Sequence, residues 1–432
     1  MNMDMDARRL VAVDPGHFHA ALVQGRMYGD IASSAYVFAP AGSELDAHLG
    51  LVERFNTRKE GPCSWEEVVY RGDDYLERFS AAAKSGELGP QPIVVLAGKN
   101  DRKADYALAA VEAGCNVLAD KPLAIDRQGF EKVSRAARLA AEKGLLFEDL
   151  MTERHEITSI LVRELARDRD LYGDQEPGTS EDPAVVKSSV HHFCKLVDGV
   201  PLRRPEWYYD TRIQGRGIVD VTTHLVDLVQ WSVFPERTLS RSDVEIVSSA
   251  TWPTVVSPEQ YAMSTGGNAP GPLEVDANGE FTWRLRGVSC KVSVAWNFMS
   301  PPGTGDTHYS LMRGTRAELE IRQGERESFR PVVYVRSRGD AASTEAALGA
   351  ALSRISGKWP GVAACGTDEP GVWRIAVPSA YAIGHEAHFG QVVADYLERL
   401  KAGGGDAAYV QNMLVKYYAI VEAAEAAVRR GA

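Results

Sequence analysis

Between residues 10 and 150, short apolar runs alternate with helical stretches, and no other feature limits the fold of this chain so tightly. The runs lie at 10–13, 35–38, 93–97, 116–119 and 145–147. Ile93-Val94-Val95-Leu96-Ala97 has no polar member, the pattern of a strand buried on both faces. Segments 104–113 and 130–143 read as helices, ended by Gly114 and Gly144. This alternation predicts a parallel sheet covered by helices. With 432 residues the chain exceeds one ordinary domain, and past 150 the pattern changes. Segments 185–195, 244–247, 280–285, 290–296, 307–312, 317–321 and 332–335 alternate at period two, which predicts an open, mostly antiparallel sheet. Residues 153–165 read as a helix, 264–272 and 338–345 as loops, and helix returns from Gly384. The expectation is an α/β protein with one domain over 1–150 and a second over 151–432. The helices from about 384 are expected to pack back on the first domain.

A net charge of −11 argues against nucleic acid and anionic membrane surfaces as partners. The five cysteines are scattered and form no C-x-x-C, which suits a reducing compartment. The opening M-N-M-D-M-D-A-R-R-L is acidic and lacks an apolar signal core, and no run approaches membrane-spanning length. A soluble, cytoplasmic protein is the expectation.

Three stretches carry chemistry. The first strand runs into Asp14-Pro15-Gly16-His17-Phe18-His19, and a helical stretch follows from Ala20. Strand, tight turn and helix form the entry to a nucleotide-binding βαβ unit. Of the glycines that G-x-G-x-x-G would place at 14, 16 and 19, only Gly16 is present. Asp14 is unwelcome beside phosphates unless its carboxylate is turned away. The second strand ends at Ala39-Pro40 with no acidic residue to hold a ribose, so NAD and NADP stay undistinguished. Next, Asp120-Lys121-Pro122 follows the strand at 116–119, on the edge where open α/β sheets bind ligands. Last, R-I-Q-G-R-G-I-V-D-V-T-T-H-L-V-D-L-V-Q-W, residues 212–231, starts with Gly215 and Gly217 and continues with helical apolar spacing. That spacing puts Asp220, His224 and Asp227 on one side of a helix. They suit an acid/base unit; equally, they suit a cap, a core histidine and a solvent-facing acid.

Asp120-Lys121-Pro122 together with G-x-G-x-x-D-x-x-x-H-x-x-D resembles the glucose–fructose oxidoreductase/inositol dehydrogenase/rhizopine-catabolism (Gfo/Idh/MocA) family, and within it a divergent oxidoreductase subgroup. The family's Glu-Lys-Pro corresponds to Asp120-Lys121-Pro122, with Asp for Glu. Its glycine-led Asp…His helix corresponds to Gly215, Gly217, Asp220 and His224. The resemblance implies an N-terminal Rossmann domain and a C-terminal domain on an open, mostly antiparallel sheet. It implies an NAD- or NADP-dependent enzyme that oxidises a secondary alcohol of a sugar, polyol or glycoside, 3-keto products included. His224 becomes the base, Asp220 its orienter and Lys121 the cation that stabilises the alkoxide. Gly16, His17, Phe18, Pro40, Lys121 and Pro122 are expected at the cofactor, and Glu153, Arg154, His192, Asp210 and Arg212 at the substrate. Trp207, Tyr208 and Tyr209 are read as core aromatics before sugar-stacking ones. No metal is expected, although His191-His192 and His385…His388 raise the question. A homo-oligomer, dimer or tetramer, is expected to form through the open sheet face. Two alternatives stay open: a redox-neutral, NAD-assisted glycoside-cleaving enzyme, and a non-catalytic sugar-binding homologue. The particular sugar and hydroxyl are not encoded legibly.

Overall fold

The structure, a computed structural model, describes residues 7–197, 200–201 and 203–431. Contacts divide the chain into two compact units. The first comprises residues 1–152, 212–215 and 384–421, and the second comprises 153–211, 216–383 and 422–432.

In the first unit, β1 (Leu10–Val13), β2 (Ser34–Ala39), β3 (Glu66–Arg71), β4 (Ile93–Leu96), β5 (Asn116–Ala119) and β6 (Phe147–Asp149) pair in the order β3-β2-β1-β4-β5-β6, all parallel. This is the Rossmann order, which places a ligand crevice at the carboxyl ends around β1. Helices α1 (His19–Leu22), α2 (Ser43–Thr57), α3 (Tyr75–Ser85), α4 (Asn100–Glu112) and α5 (Arg127–Lys143) connect the strands. α5 is capped by the Asp126 carboxylate on the Gly129 N–H and ends at Gly144. Successive residues of β4 serve opposite cores, as both-face burial requires. Val94 and Leu96 pack with Phe79, Phe130 and Tyr417, whereas Ile93 and Val95 pack with Val52, Trp65 and Phe389. The expected helix from Ala20 is a single turn, α1, with bends carrying the chain on to Gly25.

The second unit begins with a 3-10 turn at Thr152–His155 and α6 (Ile157–Ala166), whose N-terminus is capped by the Glu156 carboxylate. The sequence reading merged the two into one helix. A strand β7 (Val185–Cys194), a ribbon of β8 (Leu196–Val197) and β9 (Val200–Pro201), and α8 (Thr222–Val233) follow, while α7 (Thr211–Gln214) between them belongs, from residue 212, to the first unit. Then come β10 (Val244–Val256), α9 (Pro258–Thr265), β11 (Leu273–Leu285), β12 (Val288–Met299), β13 (Thr307–Arg313), β14 (Ala317–Arg322), β15 (Val332–Ser337), α10 (Ala341–Ile355), β16 (Ala363–Gly366) and β17 (Val372–Ala376). The chain closes with α11 (His385–Lys401), α12 (Ala407–Ala426) and β18 (Val428–Arg429). The sheet order is β16-β17-β15-β14-β13-β7-β12-β11-β10-β18, and only the β7–β12 and β10–β18 pairs are parallel. α10 corrects the reading of 338–345 as loop: Asp340 accepts the Ser343 N–H at 2.8 Å and starts a helix there.

Along β14, Leu319 and Ile321 are buried, and α6 packs against this strand and β15. The alternate residues Glu318, Glu320 and Arg322 form ion pairs among themselves and with Arg336 of β15. The outward face of this sheet region is therefore a charged lattice rather than an apolar patch.

Candidate active site

At the end of β1 the chain turns sharply. The Asp14 N–H donates to the Phe38 carbonyl (2.9 Å), Gly16 N–H to the Asp14 carbonyl (2.8 Å) and His17 N–H to the Ala97 carbonyl (3.1 Å). Gly98 lies so close that a Cβ there would fall 2.2 Å from the Asp14 carbonyl oxygen, so only glycine lets the β4 loop support this turn. Asp14 has φ +48° and is buried; its carboxylate accepts the Tyr106 hydroxyl at 3.0 Å. Burial and the Asp14 charge push the Tyr106 phenol above its usual range. The carboxylate that seemed incompatible with phosphates is thus occupied inside the protein. Beside it, a cavity of about 140 Å³ is lined by Asp14, Pro15, Pro40, Gly42, Ser43 and Lys99, among others. It sits at the carboxyl ends of β1 and β2, so Pro40 lies where the fold holds a nucleotide. The inward-turned Asp14 carboxylate and the Lys99 ammonium suit a dinucleotide's phosphates, and a cavity of this volume holds only a part of the dinucleotide. α1 is too short to supply a helix-terminal anion cradle, a departure from the expected strand–turn–helix.

Two imidazoles stand at this turn beside a carboxylate. His19 Nδ1 lies 2.9 Å and His17 Nδ1 3.8 Å from Asp120 Oδ2. Burial alone would raise the Asp120 carboxyl, but His19, Lys103 and His17 hold it well below the usual carboxylate range. Lys121 follows, half-buried, joined to buried Pro122 by a cis peptide. The Lys121 carbonyl accepts from Lys103 Nζ at 3.4 Å. The structure therefore brings His17 and Asp120 together at the Lys121 turn. Phe18, half-buried, packs toward the core with its ring 4.4 Å from that of His19. His19 and Asp120 were not paired in the sequence reading, for they stand 101 residues apart.

In the second unit, the lead-in to α8 is fixed by glycine. Gly217 N–H donates to the Asp276 carbonyl at 2.9 Å, and a Cβ on Gly217 would lie 1.6 Å from the Ala277 carbonyl oxygen. Gly217 thus seats the turn on β11. Asp220, buried, belongs to this turn rather than to the helix, which begins at Thr222; the three-in-a-row placement is corrected accordingly. Thr223 N–H donates to the Asp220 carbonyl at 3.2 Å, and His224, half-buried, lies in the first turn of α8. Asp227 is buried and takes a two-pronged ion pair from Arg154, at 2.6 and 2.7 Å. Arg154, expected at the substrate, is thereby bound to a protein carboxylate; Glu153 sits half-buried beside it in the 3-10 turn.

His192, likewise expected at substrate, is buried with Nδ1 3.1 Å from Asp306 Oδ1. His191 Nδ1 (3.0 Å) and Lys195 Nζ meet the other carboxylate oxygen. Burial opposes ionisation of Asp306, yet His191, His192 and Lys195 hold its carboxyl well below the usual range. Asp306 is a hub that nothing in the sequence pointed to. Trp207, Tyr208 and Tyr209 are buried, with Tyr209 stacked 5.0 Å from Phe193 and Tyr208 edge-on to Trp296 at 6.0 Å. Asp210 follows them, half-buried, and Arg212, on α7, is exposed.

The chain thus joins a six-stranded sheet in Rossmann order to a unit built on a mixed sheet. The chain belongs to the family described as "Putative oxidoreductase C terminal domain", whose model matches residues 161–428. It is similar to a putative oxidoreductase from Parabacteroides merdae of known crystal structure, with 43% identity, 98% of each chain covered and a TM-score of 0.94. A putative oxidoreductase from Erwinia carotovora atroseptica shares the fold at 16% identity and TM-score 0.62, over 98% of this chain and 99% of that one. So does KijD10, a 3-ketoreductase from Actinomadura kijaniata crystallised with NADP and TDP-benzene, at 13% identity and TM-score 0.61, over 99% of each chain. No curated protein matches the sequence. No helix among the described residues is long and apolar enough to cross a membrane.

Proposed function

We propose that this protein is a Gfo/Idh/MocA-type, NAD- or NADP-dependent oxidoreductase acting on a secondary alcohol of a sugar, polyol or glycoside, or on the corresponding ketone. The observation that carries the reading is Asp120-Lys121-Pro122 at the carboxyl end of β5, in a sheet of order β3-β2-β1-β4-β5-β6. The likeness to KijD10, a 3-ketoreductase, supports a sugar carbinol as the reacting centre. When bound, the nicotinamide supplies the hydride chemistry. The Lys121 ammonium stabilises negative charge on the substrate oxygen, where a fixed cation acts before any solvent rearranges. His224 exchanges the hydroxyl proton through its imidazole, and Asp220 orients it. Gly16, His17, Phe18, Pro40 and Pro122 line the cofactor; Glu153, Asp210 and Arg212 contact substrate hydroxyls. Arg154 and His192 act as positioning residues, holding Asp227 and Asp306. A homo-oligomer using the outward face of the second sheet would pair charged lattices.

The test is a screen of sugars, polyols and glycosides with NAD and NADP, followed at 340 nm, with His224→Ala and Lys121→Ala alongside. Each substitution is expected to lower kcat by about 10²–10⁴ while leaving the circular dichroism unchanged. Full turnover in His224→Ala removes the proton-transfer assignment. Glycoside cleavage without net NADH formation replaces the dehydrogenase by the redox-neutral enzyme.

A further inference from the structure

Among the described residues, one set of three His, Cys, Asp or Glu side chains has its ligand atoms mutually within 4.8 Å: His17, His19 and Asp120. We propose that these three hold a divalent transition-metal ion, with the remaining positions open to an anionic oxygen ligand.

The spacing suits an ion. Ligand atoms about 2.1 Å from a common metal stand roughly 3.0 Å apart at octahedral angles and roughly 3.4 Å at tetrahedral ones. The observed separations from Asp120 Oδ2 are 2.9 Å for His19 Nδ1 and 3.8 Å for His17 Nδ1. The His17–Asp120 separation closes to the tetrahedral value with a shift of about 0.4 Å, and all three ligand atoms lie within 4.8 Å of one another. The His19 backbone N–H donates to His17 Nδ1 at 3.4 Å; that nitrogen has one lone pair, so this long contact must give way when the ion binds. All three side chains keep some exposure, at 16%, 12% and 7%, so an ion and solvent can enter. Phe389, its ring 4.8 Å from that of His19, gives one apolar wall.

Two imidazoles and one carboxylate select the ion class. Imidazole suits Zn²⁺, Fe²⁺, Co²⁺ and Ni²⁺, whereas Mg²⁺ and Ca²⁺ prefer all-oxygen sites. Three protein ligands leave one or more positions open. Charge selects what fills them. Asp120 brings a single negative charge, and Lys103 lies in electrostatic reach of the same carboxylate. A dication here is under-neutralised and draws an oxyanion or an ionised hydroxyl. The site is built from the β1 turn and the end of β5, the edge at which this sheet class binds ligands.

The test uses full-length protein purified without a metal-affinity tag, stripped with chelator and dialysed. Zn²⁺ is titrated by calorimetry, and Co²⁺ by its visible absorption. One equivalent per chain is expected. Loss of an outer-sphere partner typically costs 10–100-fold in metal affinity, so losing a ligand in His19→Ala or Asp120→Asn is expected to cost at least about 100-fold. If either variant loses its circular dichroism, His17→Ala, whose side chain makes the longest contact of the three, decides instead. Absence of stoichiometric binding, or binding that survives these variants and disappears in His191→Ala or His192→Ala, overturns the proposal. Dinucleotide binding is measured separately by tryptophan fluorescence, with and without chelator. A protein that takes Zn²⁺ and not NAD or NADP fails the preceding reading and leaves this one standing.

Discussion

Lys416 offers a quantitative test of how α12 is tied to the first sheet. Its side chain is fully buried, and Nζ lies 2.8 Å from Asp149 Oδ2 at the end of β6. The Tyr417 hydroxyl donates to the same oxygen at 2.8 Å, and the Tyr409 hydroxyl reaches Oδ1 at 3.3 Å. Removing one partner of a buried ion pair costs about 3–5 kcal/mol, because the other charge stays buried. In Lys416→Met the carboxylate keeps two phenol donors, which sets the loss near the lower end, about 3 kcal/mol. In Asp149→Leu the ammonium and the Tyr417 hydroxyl both lose this acceptor, while Tyr409 keeps the backbone carbonyl of residue 149 at 3.2 Å, which sets the loss near the upper end, about 5 kcal/mol. The double variant puts apolar groups at both positions, an exchange that is often close to neutral. It should therefore be more stable than Asp149→Leu alone, the opposite of additivity. For a unit of this size about 1 kcal/mol moves Tm by roughly 2–4 °C, so the single variants should melt roughly 6–20 °C lower. Calorimetry reads the shift. Hydrogen exchange at the β5 and β6 amides assigns it to the first unit. Additive losses in the double variant, or a Lys416→Met melt unchanged from the parent, would refute the reasoning.

Other outcomes follow from single buried groups. Lys187, buried with Nζ donating to Ser310 Oγ at 2.7 Å, has its ammonium pushed down to about 8 by burial. The unfolded chain keeps that proton up to the ordinary lysine range, so it binds more protons than the folded state between about pH 8 and 10.5. This group's contribution to stability therefore rises with pH across the window. Lys187→Met should stabilise the protein at pH 7 by up to about 3 kcal/mol, with the advantage shrinking above pH 8; urea unfolding at pH 7 and pH 10 measures it, and an equal effect at both removes the explanation. His48 on α2 is buried, and burial pushes its imidazole down to about 4. The unfolded state takes up the proton first as pH falls below 6.5, so stability drops between pH 6.5 and 4, by up to about 3 kcal/mol. His48→Leu should flatten the midpoint-versus-pH curve in that interval; an unchanged slope excludes His48 as its source. Gly217→Ala should disrupt the α8 lead-in, since its Cβ would fall 1.6 Å from the Ala277 carbonyl oxygen. Loss of soluble, folded protein is the expected result, and a normal melt is the contrary one.

What the sequence displayed and what it concealed divide along a physical line. Apolar periodicity reports which faces are buried, so β1, β4 and β5 were legible: parallel strands covered on both sides leave continuous apolar runs. Where burial is one-sided the signal shortens. β10 was readable only over 244–247, although it runs from Val244 to Val256, where Glu245, Val247, Ser248 and Val255 are exposed. α10 was hidden by the polar residues on either side of Ala341-Ala342, and the cap at Asp340 that marks it is a local signal that could have been used. Polar pairing between distant segments leaves no periodic trace at all. Lys416 sits in an apolar stretch and reads as the wet side of an amphipathic helix, until Asp149 appears opposite it. The same holds at the sites. Gly16, Lys121, Asp220 and His224 were visible from their positions next to strand ends and turns. The partners of Arg154 and His192, 73 and 114 residues away, were not. His17, His19 and Asp120 each stood out singly, His17 as an expected cofactor contact, His19 as a missing glycine of the pattern and the aspartate as a replaced glutamate. Brought together they account for one another: a turn that keeps only Gly16 of the phosphate-loop glycines has gathered two imidazoles beside a carboxylate.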